Sequence, residues 1–357
     1  MKNIKNNKSL NYVNIAGTYV IFLLLIFSCS QEKIFNIIPN ESQLLDVEFQ
    51  VREKIITLSD SLSKYPNDIK LLADYAMTLD AHDFHFEAEK LYSILQQIDY
   101  TDFRWPLFHA IILHNLGDKK SLELYKKSMN LNNKYIPTLS LCGQAMYEHG
   151  HIDSSIFYFN KAIERQKCSK FELTYLAKIY INSNRFYKAD SMLALISECD
   201  IVDKTYYSLL SELARKNNNK TLYNKLTLGL IDMPDASDMI YNPIYDQIIE
   251  KGLSSTWFRY RAQKHMEIQL YELAIKEYTQ LIKLKPLSED YYNLGIAYEN
   301  IGKLIMAENY FKLCLKNNPV YIQACEQLAK IYKNKGDIKK YIFYNNQIQT
   351  IRSKIIE

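Results

Sequence analysis

The chain of 357 residues is 48% hydrophobic, ample for a folded core, yet holds only 9 Gly and 8 Pro. That scarcity of turn residues argues against a loop-rich β protein and for long helices. A net charge of +4 is small for this length, so the surface as a whole does not suit a nucleic-acid or polyanion binder.

Lys2, Lys5 and Lys8 precede an apolar run from Ala16 to Ser28, and no acid occurs before Glu32. A basic head, a short apolar core and a small residue before Cys29 are the layout of a secretory signal. The run is shorter than the roughly 20 residues that a membrane span needs. Leu25-Ile26-Phe27-Ser28-Cys29 resembles a bacterial lipoprotein cleavage site. That resemblance implies that residues 1–28 are removed and that Cys29 is lipidated as the mature N-terminus; a plain signal peptide or an uncleaved anchor is the competing reading. Ser30 and Gln31 follow, in place of the Asp that retains enterobacterial lipoproteins at the inner membrane. The expectation is a bacterial envelope protein, lipid-anchored at the outer membrane and facing the periplasm. Cleavage removes three lysines and no acid, taking the net charge from +4 to +1.

Residues 29–43 read as a tether broken by Pro39, and Ile37 and Ile38 are among its residues suited to docking on the first helix. Leu44 to Lys64 reads as one helix, apolar at Leu44, Val47, Val51, Ile55, Leu58 and Leu62. From Ile69 a unit of 34 residues recurs. In Ile69–Asp102, Ala76, Ala88, Tyr92 and Leu95 stand at positions 8, 20, 24 and 27, with Asp83 at the turn. Phe103–Tyr135 has Ala110 at 8 and Gly117 at 15, with a second helix one residue short. Ile136–Ser169 has Gly143, Gly150, Phe159 and Ala162 at 8, 15, 24 and 27. Lys170–Asp203 has Ala177 at 8, Ala189 at 20 and Asn184 at the turn, which tolerates the left-handed conformation. Lys204 to Ile231 is a degenerate pair turning at Asn217-Asn218-Asn219. The stretch around 232–245, with Pro234 and Asn242-Pro243, breaks the phase and reads as an elbow or a binding loop; it separates an N-terminal array (44–231) from a C-terminal one (255–357), with 232–254 between them. Phase returns at Ser255, with Ala262, Ala274, Tyr278 and Leu281. In Ser288–Tyr321, Tyr291, Leu294-Gly295, Tyr298, Gly302, Ala307, Phe311 and Pro319 fill positions 4, 7-8, 11, 15, 20, 24 and 32. Ile322 to the end repeats Leu328-Ala329, Tyr332 and Gly336, then gives a helix polar along one side that suits a cap.

This spacing closely resembles the tetratricopeptide (TPR) repeat, a helix–turn–helix unit. The resemblance covers 69–355 apart from the elbow. It implies an all-α fold: a TPR-like helix-hairpin solenoid wound as a right-handed superhelix, with about eight helix pairs. Each pair cannot bury its apolar face alone, and stacking supplies a shared core and a concave groove.

No phosphate loop, nucleophile elbow or Cys/His nucleophile arrangement is legible, so no catalytic residue, cofactor or metal ligand is assigned. His82 and His85, and His149 and His151, have spacings that metals use but lie in turns two repeats apart. Cys142, Cys314 and Cys325 fall at packing positions, where Cys acts as a small apolar residue. Cys168 and Cys199 lie near second-helix ends of adjacent repeats; whether they pair is left open. Groove-facing positions of TPR first helices supply the candidate partner site: Met77, Ile111, His114, Tyr147, Lys178, Ile181, Arg259, Tyr292 and Ile296. An apolar and aromatic floor with scattered charges suits an extended peptide or an amphipathic helix. The alternative for these positions is that they face a neighbouring helix or the chain's own tether. The Lys and Asn pair that reads a terminal carboxylate is not present at the matching positions. The expected function is a non-enzymatic envelope scaffold for protein partners. A ligand-capture lipoprotein for glycan or nutrient uptake is the alternative, and an enzyme with a site at the elbow the third.

Overall fold

A computed structural model describes residues 37–230, 233, 240 and 242–356. The segment expected to be a signal, Cys29, the first part of the expected tether and part of the 232–254 stretch lie outside the described residues. Among those described, the secondary structure is nineteen helices and no strand. Two helices come first, α1 (Glu41–Asp46) and α2 (Phe49–Lys64). Five hairpins follow: α3 (Ile69–Ala81) with α4 (His85–Ile98), α5 (Arg104–Asn115) with α6 (Ser121–Leu131), α7 (Ile136–Glu148) with α8 (Ile152–Arg165), α9 (Lys170–Asn182) with α10 (Phe186–Glu198), and α11 (Lys204–Lys216) with α12 (Lys220–Leu230). A one-turn helix, α13 (Asp246–Ile249), precedes three more: α14 (Ser255–Glu267) with α15 (Tyr271–Leu281), α16 (Ser288–Asn300) with α17 (Leu304–Asn317), and α18 (Ile322–Asn334) with α19 (Ile338–Ile356). That makes eight helix pairs in the described chain, the number expected from the repeats.

The hairpins fold where they do for local reasons. Asp68 caps α3 by accepting from the amides of Lys70 and Leu71 at 2.9 and 3.1 Å. Asp290, three residues into α16, accepts from the Leu287 amide at 2.7 Å. All eight hairpins turn through a residue with positive φ at repeat position 15: Asp83, Gly117, Gly150, Asn184, Asn218, Gln269, Gly302 and Gly336. The next amide then reaches back to close the helix end, as Asp118 does to the Leu113 carbonyl at 2.8 Å. Gln269, at φ 61°, has neither the freedom of Gly nor the short polar side chain that eases Asn and Asp into this region. Gln269→Gly should therefore stabilise the C-terminal unit by about 0.5–1 kcal/mol, read as a raised urea midpoint.

The two helices of a hairpin meet at positions 8 and 24. A Cβ built on Gly143 would lie 2.7 Å from the Phe159 ring, and one on Gly295 would lie 2.5 Å from the Phe311 ring. The two Phe rings thus sit where only a bare α-carbon leaves room. Where position 8 is Ala76, Ala177 or Ala262, position 24 holds Tyr92, Leu193 or Tyr278 instead. In the degenerate pair the same two positions are Ser211 and Thr227, whose hydroxyls lie 3.3 Å apart. No residue of α12 is fully buried, which is why that pair reads weakly.

The chain divides into two compact units. The N-terminal unit holds Ile55–Lys251 and the described residues before Ser42. The C-terminal unit holds Ser42–Lys54 together with the described residues from Gly252 on. One expectation changes here. Leu44–Lys64 is not one helix: it breaks at Val47 and Glu48. The Glu48 carboxylate is committed elsewhere, accepting from the Ser255 amide at 3.0 Å and the Ser255 hydroxyl at 2.5 Å, so it caps the start of α14. Gln50 adds a bond to the Leu253 carbonyl at 3.1 Å. The described residues of 232–254 through Lys251 belong to the N-terminal unit. Ile37 does dock: it is buried, and its carbonyl accepts from the Tyr75 hydroxyl at 3.0 Å.

In the N-terminal unit each second helix packs on the first helix of the next hairpin, and α5, α7, α9 and α11 also touch in succession. The first helices thus line the inner side of the stack. In the C-terminal unit, α19 closes the array: Ile348 and Ile351 pack with Cys325, while Lys339, Lys340, Asn346, Gln349 and Arg352 are exposed. That is the polar outer side expected of a cap.

Glu308 ties the last two hairpins together. Its carboxylate accepts from Lys312, Lys335 and the Tyr332 hydroxyl, each at 2.5 Å. Burial pushes this carboxyl up, but the three donors outweigh burial and hold it at about 2. A carboxyl lowered on folding stabilises fully above its unfolded pKa, and that contribution disappears as pH falls through the folded one. The C-terminal unit should therefore weaken between about pH 4.5 and 2. The melting temperature followed by Trp257 fluorescence should fall more steeply over this range in the unaltered chain than in Glu308→Gln.

Candidate polypeptide-binding face

The inner side of the N-terminal unit is not bare. A stretch of the chain's own backbone, residues 242–251, lies along the first helices. Ile240, like Tyr147, packs against the core cluster that contains Ile181. The Asn242 side-chain oxygen accepts from the Tyr135 hydroxyl, and that hydroxyl in turn accepts from the Ile244 amide at 3.2 Å. Tyr245 sets its ring edge-on to Phe108, centroids 6.4 Å apart. Arg104 donates to the Gln247 side-chain oxygen at 2.8 Å, while Asp102 holds the same guanidinium from the other side. Ile248 is fully buried, and Lys251 pairs with Asp74. The order of contacts runs from the start of α7 through α5 to α3, so the segment crosses the hairpins antiparallel to their sequence.

The segment is ordered by its own turn hydrogen bonds as well. The Tyr245 amide donates to the Asn242 carbonyl at 2.9 Å, and Glu250 and Lys251 donate back into α13 at 2.9 Å each. Burial pushes the Tyr245 hydroxyl well above the usual phenol range, and Asp80 and Asp83 push it the same way. Asp80 is itself buried, accepting from the Tyr92 hydroxyl at 3.0 Å with the His85 ring 3.5 Å away. The carboxylate of α3 that takes the lysine is Asp74.

The candidate residues fall into three groups. Ile111 is half-buried on α5, Tyr147 is half-buried with the Tyr175 ring at 5.7 Å, and Lys178 is exposed with its ammonium 5.8 Å from the Tyr147 ring. These three can meet another chain. Met77, His114 and Ile181 cannot in this arrangement. Met77 and Ile181 are buried, Ile181 completely, within the inter-helix core. His114 is buried between the Tyr125 hydroxyl at 3.1 Å and the Glu148 carboxylate at 2.9 Å, where it links hairpins two and three. Arg259, Tyr292 and Ile296 stand apart from these in the C-terminal unit. Arg259 is committed to a bidentate pair with the buried Asp290, both contacts 2.8 Å, so it anchors α14 to α16. Tyr292 lies between Phe311 and Tyr321, at 5.7 and 5.2 Å, and Ile296 packs on the same cluster.

The contacts that matter most were not among the candidates. Asp74 and Phe108 occupy position 6 of their first helices, one place beyond the positions usually read as groove-facing. Arg104 sits at position 2, and Tyr135 just precedes its helix. The legible signal was the phase break itself, where Ile244-Tyr245 and Ile248-Ile249 put apolar side chains into a stretch otherwise polar.

Cys168 and Cys199 form a disulfide across hairpin four. Cys142, Cys314 and Cys325 are free and buried, as their packing positions implied. Burial pushes the Cys142 and Cys314 thiols up to about 12. Among the described residues, no group of three His, Cys, Asp or Glu converges as a metal site, and no helix is long and apolar enough to cross a membrane.

Residues 291–321 match the tetratricopeptide repeat family. A curated relative, the uncharacterized protein ycf37 of Pyropia yezoensis, is 36% identical over 72 residues, which is 19% of this chain and 40% of that protein. Among solved structures, a tetratricopeptide repeat protein from Parabacteroides merdae covers 70% of this chain and 93% of its own at 13% identity, with a TM-score of 0.44. Yeast Tom70 covers 86% of this chain and 61% of its own at 14% identity, with a TM-score of 0.35.

Proposed function

We propose that this chain, built of tetratricopeptide-type hairpins, is a scaffold that holds an extended polypeptide partner on the inner face of its N-terminal unit. The observation that supports this reading is the seating of residues 242–251, whose side chains meet Tyr135, Phe108, Arg104 and Asp74 along the stack. A face of half-buried aromatics with the Asp74 carboxylate at one end suits recognition of a chain rather than of a small molecule. No catalytic step is assigned, since the titratable groups on this face are engaged in structural pairs.

The setting we infer is the bacterial envelope, with a lipid on Cys29 and the folded units in the periplasm. Two features support it: the basic-apolar-Cys29 leader, and a disulfide, a bond that persists in oxidising compartments. Cys29→Ser should move the protein from the membrane fraction to the soluble periplasmic extract and abolish labelling by a clickable fatty acid. Retention of label in that variant refutes the anchor. For the scaffold, mild crosslinking in cells should trap an envelope protein that is lost in Ile111→Asp and Tyr147→Asp. Equal capture by both variants removes the inner face from consideration.

A further inference from the structure

The segment that occupies the face has the properties of an occupant rather than of a structural strut. Each hairpin already packs on its neighbours through helix–helix contacts that the segment does not mediate. Of its residues 242–251, only Ile248 is buried in the full sense; the rest are half-buried or exposed. Its one helix has four residues, far short of what stands alone in water. Its fixing points are discrete and mostly polar: a carboxamide on Tyr135, a ring on Phe108, a second carboxamide on Arg104, and an ammonium on Asp74. The floor beneath is the opposite. Phe108, against which Tyr245 sets its ring, is fully buried. Leaving such apolar surface in water is unfavourable by its area. A partner that covers the same surface therefore displaces the segment more readily than water does.

We propose that residues 242–251 are a built-in pseudo-ligand, and that the partner is an extended polypeptide that displaces them with the same anchors. This rests on the scaffold reading above and specifies its partner. The anchors fix a pattern: a carboxamide side chain, an aromatic ring three residues later, and a cationic side chain six residues after the ring. The partner runs antiparallel to the hairpins, with its cation against Asp74. An acidic residue in place of that cation is rejected, because it would stand against like charge. Binding of the partner frees α13 from α3, so the occupied and unoccupied states differ in the contacts of residues 242–251.

The test uses the full chain and a labelled synthetic peptide with the sequence of residues 242–251, read by fluorescence anisotropy. In Tyr245→Ala/Lys251→Ala the internal segment loses two anchors while the face is untouched. This variant should bind the peptide at least tenfold tighter than the unaltered chain. A peptide carrying Lys251→Glu should bind it at least tenfold weaker than the native peptide. Adding Asp74→Asn to the variant should erase that discrimination. Equal affinity of the unaltered chain and the variant, or discrimination that survives Asp74→Asn, overturns the proposal. If the variant does not fold, hydrogen exchange on the unaltered chain decides. The amides of Ile248, Glu250 and Lys251 should exchange at least a hundredfold faster than those of Leu72 to Leu79 in α3. Matching protection means the segment opens only with the unit, and the proposal falls. In that event the scaffold reading still stands if crosslinking captures a partner through Ile111 and Tyr147.

Discussion

Replacing Cys168 and Cys199 with serine lowers the stability of the N-terminal unit by about 3–4 kcal/mol. The disulfide closes a loop across a sequence separation of 31, and that loop is hairpin four, from just before Lys170 to just after Glu198. Cutting it returns the closure entropy to the unfolded chain. Hairpin four has neighbours on both sides, α8 before it and α11 after it, so its loosening weakens them as well. The chain holds two tryptophans, Trp105 in the N-terminal unit and Trp257 in the C-terminal unit. Single-tryptophan variants therefore read the two units separately. The urea midpoint reported by Trp105 should fall by about 1–2 M, while that reported by Trp257 stays put. An unchanged Trp105 midpoint in the double-serine variant would show that the two sulfurs are not joined in the native chain. Cys142 should not confuse the measurement, because its buried thiol is a poor source of attacking thiolate.

The second large effect lies in the C-terminal unit. Phe311→Ala should cost about 3–5 kcal/mol, the range for emptying a fully buried aromatic site. Phe311 fills the gap between the two helices of its hairpin, where Gly295 gives it room, and Tyr292 leans on its ring. Gly295→Ala alone should cost about 1–2 kcal/mol: the clash with a ring at 2.5 Å outweighs the better helix propensity of Ala. In a Phe311→Leu background the same change should be neutral or stabilising, because the ring is gone and the propensity gain remains. The double-mutant cycle should show coupling of at least about 1 kcal/mol. Additive effects on the Trp257 melting curve would mean that something other than the ring demands Gly at that position.

What the sequence revealed follows from the range of the forces involved. The hairpins were legible because their determinants are local: small residues at position 8, large ones at 24, and a left-handed turn at 15. Gly, Asp83 and Asn184 announced those turns by their own chemistry; Gln269 did not, because nothing in a glutamine prefers positive φ. Breaks set at long range were hidden. The apolar spacing of Leu44–Lys64 runs straight through Val47, and only the pairing of Glu48 with Ser255, 207 residues on, explains the interruption. The surroundings of the candidate residues are hidden for the same reason. Repeat positions say which way a side chain points from its own helix. They do not say that Tyr125 and Glu148 will bracket His114, or that Asp290 will claim Arg259. The docking of 242–251 depends on pairs such as Asp74 with Lys251, which no periodicity announces. The spacing of Cys168 and Cys199, close to one repeat, is what brings the two sulfurs into reach.

The covalent clip around hairpin four also sets how the protein responds to pulling. A chain anchored at one end and loaded at the other pays out its unfolded residues in series, at up to about 3.6 Å each. The residues between Cys168 and Cys199 are excluded from that series while the bond lasts. Oxidised, the molecule keeps roughly 100 Å of contour length in reserve, and only a reductant, not force on the termini alone, releases it.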